Sequence, residues 1–250
     1  MKYIDINCDL GEGIGNDAAV MPFISSANIA CGYHAGDINS MDKTVQMARE
    51  NKVAIGVHPG FNDPDNFGRI AHHLSAAEIE QLVKEQVVIL QKQAVKHGCS
   101  ITHVKPHGAL YNMAAADYDI ALAIAQGIKA VNAGLLFYGL ANSLMLKAAE
   151  DLGLKAVSEV FADRAYTSSG QLVSRQQAGA VIHDVERCKK RVLDMVLHNR
   201  VESIDGEPIA IKADTICIHG DNPGAVELAK ALHGMLKANH IQIVSPISQL

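Results

Sequence analysis

The chain has 250 residues, 48% of them hydrophobic, a formal charge of −5 and a pI near 6.2. That is enough apolar material for one α/β barrel or two small domains, and it leaves no electrostatic footprint for nucleic acid. No apolar run approaches the ~18 residues of a membrane span, Asp5 comes too early for a signal peptide, and five dispersed cysteines without a Cys-x-x-Cys pair point to a cytoplasmic enzyme with buried thiols.

A first strand is predicted over residues 2–9, running into Leu10-Gly11-Glu12-Gly13. Its period of two puts Ile4, Ile6 and Cys8 on one face and Asp5, Asn7 and Asp9 on the other. Carboxylates where a core wants Val or Leu are costly unless paired or used, so this face is either a functional site or the wet side of an edge strand. A short strand over 26–31 leads to Gly32-Tyr33-His34-Ala35-Gly36-Asp37, and a helix follows over about 39–51 with Met41, Val45 and Ala48 on one stripe. The apolar strand 53–57 is broken by His58-Pro59-Gly60, and a long polar loop containing Arg69 fills 61–74. Ser75-Ala76-Ala77-Glu78 is a capping box that opens a helix to about 97, closed by Gly98. Strand 101–105 stops at Pro106 and leads into His107. Then come helix 117–131, strand 135–138, helix 143–152 and strand 156–160, which delivers Asp163-Arg164. After a turn-rich stretch, a helix over 185–198 precedes strand 215–218. His219-Gly220-Asp221-Asn222-Pro223 follows, with Asn222 as N-cap and Pro223 at the first helical position of a helix to about 239. A last apolar run over 241–244 reads as one more strand.

Seven strands alternating with helices, the final run 241–244 left aside, imply a parallel sheet, and the lack of a dinucleotide fingerprint favours a closed (βα) barrel spanning 1–250 as a single domain. The polar clusters sit directly after strands: Asp9/Glu12, His34/Asp37, His58/Arg69, Lys105/His107, Asp163/Arg164 and His219/Asp221. In a parallel barrel those strand ends share one rim, where catalytic loops collect. Each cluster also has a plainer reading. His34 and His58 suit hydrogen-bonded core positions, Asp37 suits a helix cap, Asp163-Arg164 a local ion pair, and His219 and its neighbours a capped helix start. His72, His73, His97 and His103 fall off the rim pattern and read as surface or packing residues. The available chemistry is acid–base work plus anion binding. No Gly-x-Ser-x-Gly elbow and no Gly-x-x-x-x-Gly-Lys-Ser/Thr phosphate loop occurs.

Several blocks resemble the LamB/YcsF family of lactam-utilisation proteins. They are Asp5-x-Asn7-x-Asp9-Leu10-Gly11-Glu12, Ser26 to Asp37, Gly56-x-His58-Pro59, Phe67-Gly68-Arg69, Val104 to Asn112, Glu159 to Arg164 and His219-Gly220-Asp221. The resemblance implies an irregular seven-stranded TIM-like barrel of the glycoside hydrolase/deacetylase type. It also implies one component of an ATP-dependent 5-oxoprolinase that acts with two further subunits, with ATP and Mg²⁺ as co-substrate. The reaction opens 5-oxo-L-proline to L-glutamate. On that reading Asp5, Asn7, Asp9, His34, His58, Lys105 and His107 serve catalysis, with Asp9 or Asp5 as base. Glu12, Asp37, Arg69, Asp163, Arg164, His219 and Asp221 serve substrate or phosphate. Related sugar deacetylases hold a metal with an Asp-Asp pair after the first strand and two His. Here Leu10 replaces the second Asp, and His34 and His58 survive as possible ligands where a dedicated zinc site needs about three, so no tightly bound metal is expected, Asp9, His34 and His58 being the weak candidates. The competing expectations are a stand-alone metal-dependent amide hydrolase or deacetylase, and a non-catalytic substrate-binding subunit. Homo-oligomer formation stays open.

Overall fold

Inward and outward side chains alternate along every barrel strand, and that alternation sorts the sequence into an apolar jacket and a polar lumen. The computed structural model describes residues 2–220, 222 and 224–249. The strands are β1 (Lys2–Leu10), β2 (Ser26–Ala30), β3 (Ala54–His58), β4 (Ile101–Val104), β5 (Leu136–Leu140), β6 (Lys155–Phe161), β7 (Arg200–Glu202), β8 (Pro208–Ala210), β9 (Thr215–His219) and β10 (Ile241–Ile243). The helices are α1 (Asp17–Val20), α2 (Ile38–Glu50), α3 (Ala76–Lys96), α4 (Gly108–Ala116), α5 (Tyr118–Val131), α6 (Leu144–Asp151), α7 (Val185–His198) and α8 (Ala225–Ala238).

Parallel pairing runs β1-β2-β3-β4-β5-β6-β9 and closes from β9 back to β1, a seven-stranded barrel. Closure is in register, with Asp5 opposite Thr215, Asn7 opposite Cys217 and Asp9 opposite His219. One edge of β1 is shared. Its first residues, Lys2 to Ile4, pair with β10, and β9 takes the same edge from Asp5 onward. That split makes the barrel irregular and explains the short eighth run at the C-terminus. β7 and β8 form a separate antiparallel hairpin.

Ile4, Ile6, Cys8 and Leu10 face outward into the main apolar cluster with Ile29, Val57, Ile216 and the helices, all buried. Inside, Leu136, Tyr138 and Val157 form a small separate cluster with Ile247. Above it lies a polar layer made possible by a glycine. A Cβ on Gly56 would run into the imidazole of His103, so only glycine in β3 admits that ring. Among the described residues no helix is long and apolar enough to cross a membrane.

Two capping boxes set helix starts: Ser75 with Glu78 at α3, and Asp37 with Ser40 at α2. Asp37 is exposed at its cap, outside the cavity described below, so its expected place at the substrate site is corrected to a capping one. The sequence pattern misses α4 because its residues are apolar on nearly every side, leaving no periodic stripe. It also misses the β7–β8 hairpin. α8 begins at Ala225 with Gly224 as N-cap, and Asn222 Oδ1 instead accepts from the Gly224 N–H at 3.1 Å. Pro223 and Asp221 lie outside the described residues.

Candidate active site

The C-terminal strand ends surround a cavity of about 530 Å³, lined by Asp9, Glu12, His58, Arg69, Lys105, His107, Tyr111, Phe161, Arg164 and His219. The loop from Gln171 to Gln176 completes its wall. Beneath it the lumen is a continuous hydrogen-bonded layer. Asn7 donates to Glu159 Oε1 (2.9 Å) and Thr215 Oγ1 (2.7 Å), and Asn28 donates to Asn7 Oδ1 (2.7 Å) and Asp9 Oδ1 (2.8 Å). His103 Nε2 meets Asn28 Oδ1 at 2.9 Å, and its ring stacks on Tyr138.

Asp5 is at the floor of this layer, with no exposed surface. Ser25, Ser26, Tyr138 and Thr215 hydroxyls all donate to it, at 2.6 to 3.1 Å. Burial pushes its carboxyl up to about 6 against those four hydrogen bonds. Asp5 is absent from the cavity lining and its acceptor sites are filled, so the geometry takes it out of contention as the base. Asp9, four residues on, does reach the cavity.

Lys105 crosses the lumen from the end of β4. Its Nζ is 2.8 Å from Asp9 Oδ1, 3.0 Å from Glu159 Oε1, 3.0 Å from Cys217 Sγ and 3.3 Å from Asn7 Oδ1. Burial opposes its charge, but Asp9, Cys217 and Glu159 outweigh that and hold the ammonium well above its ordinary range. Asp9 is likewise buried, yet His58 and Lys105 hold it well below the carboxylate range. Lys105 therefore fixes an ionised Asp9 and Glu159. With its donors committed to them, it is not available to grip a phosphate. Tyr111 donates to the other Glu159 oxygen at 2.7 Å.

On the opposite side Glu12, His34, His58 and His107 come together. Their facing donor atoms lie within 4.8 Å of one another. Glu12 Oε1 is 3.6 Å from His34 Nε2, 3.9 Å from His58 Nε2 and 3.5 Å from His107 Nδ1. Asp9 Oδ2 is 3.5 Å from His58 Nε2. Backbone carbonyls accept from the outer nitrogens: His58 Nδ1 to Lys105 O at 2.7 Å, and His107 Nε2 to Phe67 O at 2.8 Å. Burial lowers all three rings, His34 to about 3, His58 to about 4 and His107 well below its ordinary value, so near pH 7 they are neutral. Glycines make room for them. A Cβ at Gly60 would be 2.7 Å from His34 Nδ1, and one at Gly68, whose φ is +62°, would be 2.7 Å from His34 Cβ.

The expectation of too few metal ligands is corrected by this grouping. Asp9 turns toward Lys105 and Asn28, while Glu12 and His107, assigned elsewhere by the sequence, join His34 and His58. Of the arginines expected to bind anions, Arg69 and Arg164 line the cavity, and Arg175, which the sequence pattern did not single out, lines it with them. Arg164 is nearly buried, donates to Val173 O at 2.6 Å, and is pushed down to about 10 by burial and by Arg175. Asp163 does not line the cavity. It is buried beside His219 Nδ1 (3.1 Å), which outweighs burial and brings it to about 2. It therefore orients the His219 ring, which stacks on Phe161. Asn28, His103, Tyr111, Glu159 and Cys217 are site components that the sequence pattern did not single out. Period-two alternation from Asn7 flags Asn28 and Glu159 only once their strands are aligned.

The LamB/YcsF family pattern matches residues 4–250. The chain belongs to the LamB/YcsF family. Within it, the A-type subunit of 5-oxoprolinase from Nitrobacter hamburgensis is 51% identical over 246 residues, covering 96% of each chain. The crystal structure of a lactam utilization protein from Thermus thermophilus superposes with a TM-score of 0.91 at 40% identity, covering 98% of this chain and 99% of that one. The peptidoglycan deacetylase PdaC of Bacillus subtilis, at 11% identity and a TM-score of 0.52 over 99% of this chain and 89% of that one, shares the fold. The expected deacetylase-type barrel is thus borne out.

Proposed function

We propose that this chain, as a single barrel domain, is the A-type subunit of a cytoplasmic ATP-dependent 5-oxoprolinase and works with two further subunits, B and C. The observation that carries the reading is the cavity itself, which joins neutral imidazoles, a fixed carboxylate and arginines in one LamB/YcsF barrel. Relatives in that family about half identical to this chain are named as this same 5-oxoprolinase component.

The reaction breaks the lactam C–N bond of 5-oxo-L-proline with water, the ring nitrogen gaining a proton and the carbonyl carbon an oxygen, driven by hydrolysis of ATP supplied with Mg²⁺. A lactam carbonyl is a weak electrophile, so the phosphoryl group serves to activate it. Arg164 and Arg175 suit the substrate carboxylate and phosphate oxygens, because guanidinium presents a planar fork to such groups. His58 suits the base. It is neutral, its Nδ1 is held by a carbonyl, and its Nε2 lone pair faces the cavity beside Asp9. Asp9, held too acidic to take a proton readily, supports the imidazolium that His58 becomes. In that role it stabilises charge and does not itself act as the base.

The test is release of glutamate from 5-oxo-L-proline by the chain with its two candidate partner subunits, with and without ATP. ATP-dependent release is expected, and none in any combination overturns the reading. The Glu12 and triple-histidine cluster favours one second reading, a stand-alone metal-dependent amide hydrolase. That reading requires nucleotide-independent, chelator-sensitive hydrolysis by this chain alone.

A further inference from the structure

We propose that Glu12, His34, His58 and His107 form a binding centre for a divalent first-row transition-metal cation. The inference concerns binding, and it shares one atom with the reaction proposed above: with a cation bound, the His58 Nε2 lone pair is a ligand and not a free base. Hydrogen-bond logic carries it. A carbonyl oxygen only accepts, so the bonds to Lys105 O and Phe67 O place a proton on His58 Nδ1 and on His107 Nε2. The facing nitrogens, His58 Nε2 and His107 Nδ1, are then both lone pairs, yet they stand 3.0 Å apart with ring planes at 84°. Two lone pairs at that distance repel unless a shared proton or a metal cation lies between them and a neighbouring anion. Glu12 Oε1 is that neighbour, 3.5 Å from one and 3.9 Å from the other. Ligand atoms about 2.0–2.2 Å from a metal lie roughly 3.0–3.6 Å from each other around it, close to the spacing here. Carbonyls holding the outer nitrogens are also the usual support for metal-binding imidazoles.

His34 supplies the independent observation. It is 1% exposed, and neither ring nitrogen has a hydrogen bond, an arrangement buried polar groups rarely tolerate. Its ring lies flat on His107, 3.8 Å between centroids and 4° between planes, so their in-plane lone pairs lie in parallel planes and do not converge on one point along the stack. Glu12, His58 and His107 are therefore the core of the centre. His34 becomes the fourth ligand by tilting off the stack, a motion that breaks no hydrogen bond of its ring. Three imidazoles and one carboxylate suit Zn²⁺, Co²⁺, Mn²⁺ or Fe²⁺, whereas Mg²⁺ prefers an all-oxygen shell. The other grouping, Asp9, Cys217 and His219, already has Lys105 Nζ against its first two members.

The experiment is equilibrium dialysis of the full chain against Co²⁺ or Zn²⁺, with metal counted by elemental analysis and the Co²⁺ form read by absorption. One equivalent per chain is expected, with ligand-field bands and no thiolate-to-cobalt charge-transfer band. Glu12→Gln and His107→Ala should each weaken retention at least about tenfold while circular dichroism stays unchanged. A thiolate band would move the metal to Cys217 and overturn the assignment. So would retention below a tenth of an equivalent, which leaves His58 and His107 as a proton-sharing pair. Because the wild-type spectrum needs no variant to fold, the proposal remains exposed even if a variant fails. Metal retention without ATP-dependent ring opening would sustain this centre and overturn only the proposed reaction.

Discussion

Asp5 and Asp9 share one face of β1, four residues apart, and the barrel treats them in opposite ways. Around Asp5, four hydroxyls fill the carboxylate's acceptor sites in the closed lower lumen. Around Asp9, Lys105 and Asn28 hold one oxygen, and the other looks across the cavity at His58, next to a His34 ring with no hydrogen bond. A saturated polar cluster holds the fold, and an unsaturated one is kept for something that arrives. Burial alone does not separate the two, since both aspartates are buried. The difference lies in whether each lone pair and proton already has a partner.

The two clusters can be driven apart by substitution. The largest effect is expected at the rim. Asp9→Asn removes the charge that faces His58, and ATP-dependent glutamate release by the assembled subunits should fall about 10²–10⁴-fold with the fold intact. Release within a few-fold of wild type would mean that the rim only holds substrate. Next is Lys105→Met, which leaves the Asp9 and Glu159 carboxylates buried without their cation. A stability loss of about 3–5 kcal/mol is expected in urea unfolding, as for other broken buried pairs.

At the floor, Asp5→Asn should leave activity within a few-fold of wild type and change the pH dependence of stability instead. The folded carboxyl, pushed up to about 6, keeps its proton to higher pH than the unfolded one near 3.8. Its contribution is therefore fully present below about pH 4 and is lost as pH rises through 6. Unfolding measured from pH 4 to 7 should show wild type losing ground to Asp5→Asn across that window, and a flat difference would contradict the assignment. The smallest effect belongs to Asp37→Ala. It removes the α2 cap, should lower the melting temperature slightly, and should leave glutamate release unchanged.

Much of this is legible in the chain itself. Alternation names Asp5, Asn7 and Asp9 as one face, and punctuation by Gly, Pro and capping residues places the barrel strands and six of the eight described helices. The rim assignment follows because parallel strands must end on one side. Asp37 shows the limit. Its position after a strand matches its neighbours, but Ser40 three residues later makes it a cap, and capping is local chemistry that proximity to the rim does not override. α4 escapes notice because a helix buried on nearly all sides carries no amphipathic signal.

Local spacing thus determined which residue types face the lumen, because side-chain direction in a strand depends only on position parity. It could not determine partners. Asn7 meets Glu159 across 152 residues, Lys105 meets Cys217 across 112, and His58 meets His107 across 49. Those distances are set by barrel closure and by the β1–β9 register, which align side chains from strands far apart in sequence. The same closure turned Asp9 toward Lys105 and brought Glu12 to the three histidines, so only the tertiary structure decided which carboxylate is neutralised and which faces open lone pairs.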